Sequence, residues 1–155
     1  MGRCTVVVAE DHPAVAAQLR ELLAHEFEVA AVVGDGQALV EAVQRLSPQV
    51  AVTDISMPGT DGIDATRLLL KTNPRTRVIL LTVHHDLNLV RQGLLAGCSG
   101  YVLKSSAGEE LLMAIDTALQ GGTFLSAELA PPDVLDELMR RWVRKSECPV
   151  TGVGI

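Results

Sequence analysis

Five short apolar runs limit what this chain can become: C-T-V-V-V-A at 4–9, E-V-A-A-V-V at 28–33, Q-V-A-V-T at 49–53, R-V-I-L-L-T-V at 77–83 and G-Y-V-L at 100–103. Most are continuous rather than alternating, the pattern of parallel strands covered on both faces. Between them the apolar residues take helical spacing. Val15, Leu19, Leu22 and Leu23 share one face behind Pro13, a residue suited to a first helical turn. Leu39, Val43 and Leu46 repeat the pattern, as do Ile63, Leu68 and Leu69 within a segment from Thr60 to Thr72. Leu87, Val90 and Leu94 mark a fourth helix. Leu111, Leu112, Ile115 and Leu119 mark a fifth, which Gly121-Gly122 stops. Strand alternating with helix five times predicts an open parallel α/β sheet with helices on both faces.

The totals suit one domain with a short appendage. Among 155 residues, 48% are hydrophobic and 3% aromatic, so the core must be aliphatic. A net charge of -6 disfavours nucleic-acid binding by this stretch of chain itself and favours sites that hold cations. Cys4, Cys98 and Cys148 have no metal-site spacing and form no even set, which predicts a reducing cytoplasm. No run approaches the ~20 apolar residues of a membrane span, so no membrane association is expected.

In an open α/β sheet, ligands bind beyond the carboxyl ends of the strands. Glu10 and Asp11 follow the first strand, Asp54 ends the third, Thr82 the fourth, and Lys104 follows the fifth. The second ends in Gly34-Asp35-Gly36 and adds nothing similar. Taken singly, such acids are helix caps and such a lysine is a surface ion pair. Together they have complementary chemistry. Three carboxylates call for a hard dication, and Mg²⁺ takes oxygen ligands and bridges to phosphate oxygens. A lysine binds phosphate as a point charge, and a threonine hydroxyl can donate to a phosphoryl oxygen. Asp54 is then the central candidate for a nucleophile that becomes an aspartyl phosphate.

With E-D at 10–11, D54 followed by I-S-M-P-G-T-D-G, L-T at 81–82 and G-Y-V-L-K at 100–104, the chain resembles a response-regulator receiver domain. A-E-D-H-P and A-G-C-S-G-Y-V-L-K place the resemblance nearest the NarL/FixJ (LuxR-type) subfamily. It covers residues 4 to about 126. It implies a flavodoxin-like (βα)5 fold, doubly wound, with five parallel strands in the order 2-1-3-4-5 and a C-terminal linker helix. Asp54 would be the phospho-acceptor, with a phosphohistidine on a sensor histidine kinase as donor. Glu10, Asp11, Asp54 and the backbone carbonyl of Ser56 would serve Mg²⁺. Lys104 would contact the phosphoryl group, Thr82 would move toward it, and Tyr101 would be the switch aromatic, against a plain reading as a core residue. Ser56 and His84 hold positions that tune the lifetime of the phosphorylated state in that family. The resemblance further implies a homodimer through the α4-β5-α5 region or the C-terminal helix, with no enzymatic turnover beyond self-catalysed phosphotransfer and dephosphorylation.

Residues 1–126 are expected to form the receiver, and 127–155 a linker and tail with a helix over 133–145. F-L-S-A-E-L-A-P-P, from 124, reads as connector. A LuxR-type helix-turn-helix domain does not fit in 127–155, so DNA contact is expected only through an output domain outside this chain. The alternative is a stand-alone or pseudo-receiver interaction module, although the latter would lack part of the acid pair, Asp54 or Lys104. A haloacid-dehalogenase-like phosphatase would carry an aspartate where Ser56 stands. G34-D-G-Q-A-L39 lacks the third glycine of a dinucleotide fingerprint and reads as a turn into the second helix. His84-His85 read as solvated loop residues.

Overall fold

A computed structural model describes residues 4–129, so the helix expected over 133–145 lies outside the described residues. The elements run β1 (Thr5–Ala9), α1 (Pro13–Ala24), β2 (Glu28–Val33), α2 (Gly36–Leu46), β3 (Val50–Asp54), α3 (Gly62–Thr72), β4 (Arg77–Thr82), α4 (Leu87–Ala96), β5 (Gly100–Leu103), a 3₁₀ turn (Lys104–Ser106), α5 (Ala107–Leu119) and β6 (Phe124–Leu125). The sheet is parallel, in the order β2-β1-β3-β4-β5-β6. The doubly wound order expected from the sequence holds, with one addition. Phe124–Leu125 is not plain connector but a sixth strand beside β5. Two residues are too few for a periodic signal, so only the pairing reveals the strand.

Side-chain alternation along each strand divides the core in two. Val7, Ala9, Ala51, Val78, Leu80, Tyr101 and Leu103 face α2, α3 and α4. Val6, Val8, Val50, Val52, Ile79, Leu81 and Val102 face α1 and α5. Both faces of β1, β3, β4 and β5 are buried, which is why these strands read as unbroken apolar runs; the edge strand β2 is only partly covered. At roughly 25 cal/mol per Å² of apolar surface removed from water, this two-sided burial is the main favourable contribution to folding.

Local chemistry sets the element ends. Pro13 opens α1, and Asp35 caps α2 by accepting from Ala38 N–H at 2.8 Å. This confirms Gly34-Asp35-Gly36 as a helix-entry turn. Asp61 caps α3 in the same way, accepting from Asp64 N–H at 2.8 Å. α5 stops before Gly121, whose φ of +92° is costly for any residue with a Cβ. β4 ends at Thr82, as expected, although the apolar run continues to Val83: His84 N–H turns back to Thr82 Oγ1 at 3.0 Å, and Val83 is left 66% exposed.

Candidate functional site

β1 and β3 are central neighbours, so their carboxyl ends lie side by side. Val6 to Ala9 pair with Val50 to Thr53, which brings Glu10 and Asp11 level with Asp54. Glu10 N–H donates to Val33 O at 2.9 Å, so β2 holds the acidic loop although its own end supplies no acid. His12 N–H donates to Glu10 Oε2 at 3.1 Å and fixes the carboxylate. Glu10 and Asp54 are only 3% and 5% exposed, while Asp11 is open to solvent.

Asp54 is the last residue of β3, paired with Leu81 of β4. Beyond it Ile55 N–H still donates to Leu81 O at 3.0 Å, and Gly62 N–H closes the loop onto Ile55 O at 2.9 Å. Gly59, at φ +74°, makes the turn after Pro58. Gly62 answers a different need: a Cβ there would lie 2.2 Å from the Asp54 carbonyl oxygen. The M-P-G-T-D-G stretch is thus the device that seats α3 directly against the aspartate's backbone.

One cation joins the buried acids. Lys104 Nζ donates to Asp54 Oδ2 at 2.8 Å and lies 2.7 Å from Glu10 Oε1. The second contact is an ion pair out of hydrogen-bond alignment, so Glu10 Oε1 is buried with no hydrogen-bond partner. Burial lowers the Lys104 pKa, but the two adjacent carboxylates, Asp54 and Glu10, outweigh it, and the net shift is upward. The ammonium is therefore charged at neutral pH. Ser56 N–H donates to Asp54 Oδ1 at 3.3 Å, the one bond shown from Ser56 to the carboxylate.

Carboxylate oxygens from Glu10, Asp11 and Asp54 fall within 4.8 Å of one another. An oxygen-only donor set of three carboxylates fits a hard divalent cation, so this cluster could bind a metal. Thr82 is buried at the end of β4, with its Oγ1 taken by His84 N–H and no bond to Asp54. Tyr101 is fully buried in β5, against Gly93 on α4. Burial pushes its phenol pKa well above the ordinary range, the Thr82 hydroxyl opposing only in part. Its hydroxyl has no aligned hydrogen-bond partner. His84 and His85 are exposed, as expected of loop residues.

The sequence reading therefore named the residues the structure brings together: Glu10, Asp11, Asp54 and Lys104. It missed the supports, namely Val33, the His12 N–H and the close approach at Gly62. The D-G pair at 61–62 and its spacing from Asp54 was the available signal for the last of these. Backbone bonds from β2 and the acidic loop leave no trace in residue type.

Residues 6–116 match the family of response regulator receiver domains. The transcriptional regulatory protein DegU of Brevibacillus brevis is 34% identical over 158 residues, a match spanning 99% of this chain and 65% of that protein's length. The crystal structure of a LuxR-family two-component response regulator from Aurantimonas sp. SI85-9A1 superposes with a TM-score of 0.77 at 28% identity, over 92% of this chain and 99% of that one. The isolated REC domain of RcsB from Salmonella enterica serovar Typhimurium, determined in the presence of the phosphomimetic BeF3-, gives 0.75 at 28% identity, over 83% and 96%. Strand order, acidic edge and sequence likeness agree: the chain belongs to the response regulator receiver domains of two-component systems, of the NarL/LuxR type, and is a signalling switch.

Proposed function

We propose that Asp54 is the phospho-acceptor of this receiver. The observation that carries the reading is the Lys104 ammonium, 2.8 Å from Asp54 Oδ2 and 2.7 Å from Glu10 Oε1 at the carboxyl edge of the sheet. Asp54 Oδ2 is held by the Lys104 side chain rather than by a backbone donor, so a phosphoryl group can replace that contact. An Asp54 oxygen forms the new P–O bond while the P–N bond of a phosphohistidine on the sensor kinase breaks, its electron pair leaving with the imidazole. Lys104 follows the phosphoryl oxygens and offsets their charge. Glu10, Asp11 and Asp54, with the carbonyl of Ser56, would hold Mg²⁺. When bound, Mg²⁺ supplies positive charge beside the transferring group.

Phosphorylation adds charge and acceptor oxygens at Asp54. Thr82 leaves His84 N–H to donate to the phosphoryl group, and Tyr101 repacks with it, so that β4, β5 and α4 pass to a second arrangement. That face, or the chain beyond the receiver, mediates homodimerisation. Output is transcriptional, through a DNA-binding domain in the whole protein, which acts in the cytoplasm. Hydrolysis of the acyl phosphate, the chain's one self-catalysed reaction besides phosphotransfer, resets the switch.

The test is intact mass after incubation with acetyl phosphate, with and without Mg²⁺, for wild type and Asp54→Asn. One added phosphate in wild type that requires Mg²⁺, and none in Asp54→Asn, is the expected result. A wild-type protein that stays unmodified, alongside a receiver that is modified, would show a binding module instead.

A further inference from the structure

The sixth strand ends on a side chain. Phe124 N–H donates to Ser99 O and Ser126 N–H to Tyr101 O, both at 3.0 Å, as a parallel ladder requires. In an evenly spaced ladder the next β5 donor, Leu103 N–H, would meet a backbone carbonyl of the incoming strand. It meets the Ser126 hydroxyl instead, at 2.9 Å. That hydroxyl in turn donates to Glu110 Oε1 in the first turn of α5. Ser126 is buried, at 2% exposure. One hydroxyl therefore ties together the end of β5, the start of α5 and the chain that leaves α5. Leu103 immediately precedes Lys104.

We propose that Ser126 is a positioning residue for Lys104, and that through it the chain beyond the receiver is coupled to the acidic edge. The proposal rests on the reading of Lys104 as the phosphoryl contact. With the Ser126 hydroxyl in place, the Leu103 N–H is satisfied and the β5–α5 junction is fixed, so the Lys104 stem starts from a defined point. Without it a buried N–H is orphaned and the junction must shift or open to water. The coupling runs in both directions. Movement of Lys104 toward a phosphoryl group pulls on Leu103 and hence on residue 126, and docking of residue 126 fixes Lys104.

The experiment uses the full 155-residue chain as wild type, Ser126→Ala, Ser126→Thr, Glu110→Ala, Lys104→Ala and the Ser126→Ala/Lys104→Ala double variant. One readout is the initial rate of phosphoryl uptake from acetyl phosphate with Mg²⁺. The other, taken without phosphodonor, is amide hydrogen exchange over residues 103–106. Misplacing a reacting group by a fraction of an ångström predicts uptake slowed about ten-fold in Ser126→Ala, two- to three-fold in Glu110→Ala, and largely restored in Ser126→Thr. Exchange over 103–106 rises in the same order. In the Lys104→Ala background, Ser126→Ala adds no further slowing. Wild-type uptake in a folded Ser126→Ala protein overturns the proposal, and so does undiminished slowing in the Lys104→Ala background. Should wild type take up no phosphoryl, the reading of the site fails, and the exchange arm alone decides the clamp: unchanged exchange in both Ser126→Ala and Glu110→Ala overturns it. Should Ser126→Ala not fold, unchanged uptake and exchange in Glu110→Ala have the same consequence.

Discussion

The two ends of one sheet carry polar residues for opposite purposes. At the amino edge, polar groups close on each other. Thr76, buried, donates to Pro48 O at 2.9 Å, Thr5 N–H donates to Gln49 Oε1 at 3.2 Å, and Asn73 reaches Ser47 at 3.4 Å. An open crevice of about 610 Å³ lies among them, lined by Arg75 and Arg77. Among the described residues, no buried charge stands there. At the carboxyl edge, two carboxylates are buried, one of their oxygens has no hydrogen-bond partner, and a lysine is pulled in between them. The difference lies in what the strand ends and the loops beyond them carry: Asp54 closes β3, and Glu10 and Lys104 directly follow β1 and β5. Polar groups with partners hold a fold together; buried charge with capacity left over is a place for something to bind.

Four changes sharpen that contrast, the largest first. Gly62→Ala forces a Cβ to 2.2 Å from the Asp54 carbonyl oxygen, and backbone must shift to admit it. A loss of ~3 kcal/mol is expected, read by urea denaturation, with phosphoryl uptake failing alongside. Lys104→Ala removes the cation from the carboxyl edge. Uptake from acetyl phosphate should fall ~100-fold, about 2.7 kcal/mol, while the protein remains folded. At the other edge, Thr76→Val orphans the buried Pro48 carbonyl at a cost of ~1.5 kcal/mol and should leave uptake unchanged in the folded fraction. An effect on uptake there would break the division between the two ends.

The smallest concerns alkaline pH. Burial pushes the Cys98 thiol up from 9.0 to about 12. The unfolded chain loses this proton near pH 9 while the folded chain keeps it. The contribution is therefore fully present below pH 9 and is lost as pH rises toward 12, amounting to about 1.4 kcal/mol by pH 10. Tyr101 and Lys104, both raised, act in the same direction. Thermal denaturation from pH 8 to 10.5 should show a falling midpoint, with a shallower slope in Cys98→Ala.

The same contrast explains what the sequence disclosed. Continuous runs such as V-V-V-A and V-I-L-L were legible because both faces of these strands are buried. Glu10, Asp11, Asp54 and Lys104 were legible because charged residues at the ends of apolar strands break the pattern. β6 was not legible, being two residues whose pairing depends on the Ser126 hydroxyl and on backbone bonds to Ser99 and Tyr101. Thr76 and Ser126 look like ordinary loop residues, since small hydroxyls carry no periodic signal and acquire a role only from their partners. The apolar run of the fourth strand continues to Val83, yet the strand ends at Thr82 as expected, because the Thr82–His84 turn puts Val83 outside the sheet.

The most direct measurement is to locate the phosphoryl group. The protein would be treated with acetyl phosphate and Mg²⁺, then with borohydride, which reduces an aspartyl phosphate to homoserine, and mapped by peptide mass spectrometry. Homoserine at residue 54, present only when phosphodonor and Mg²⁺ are both supplied, is the predicted result. Homoserine at Asp11 or another acid, or none at all from a protein that has gained phosphate, would contradict the assignment of Asp54.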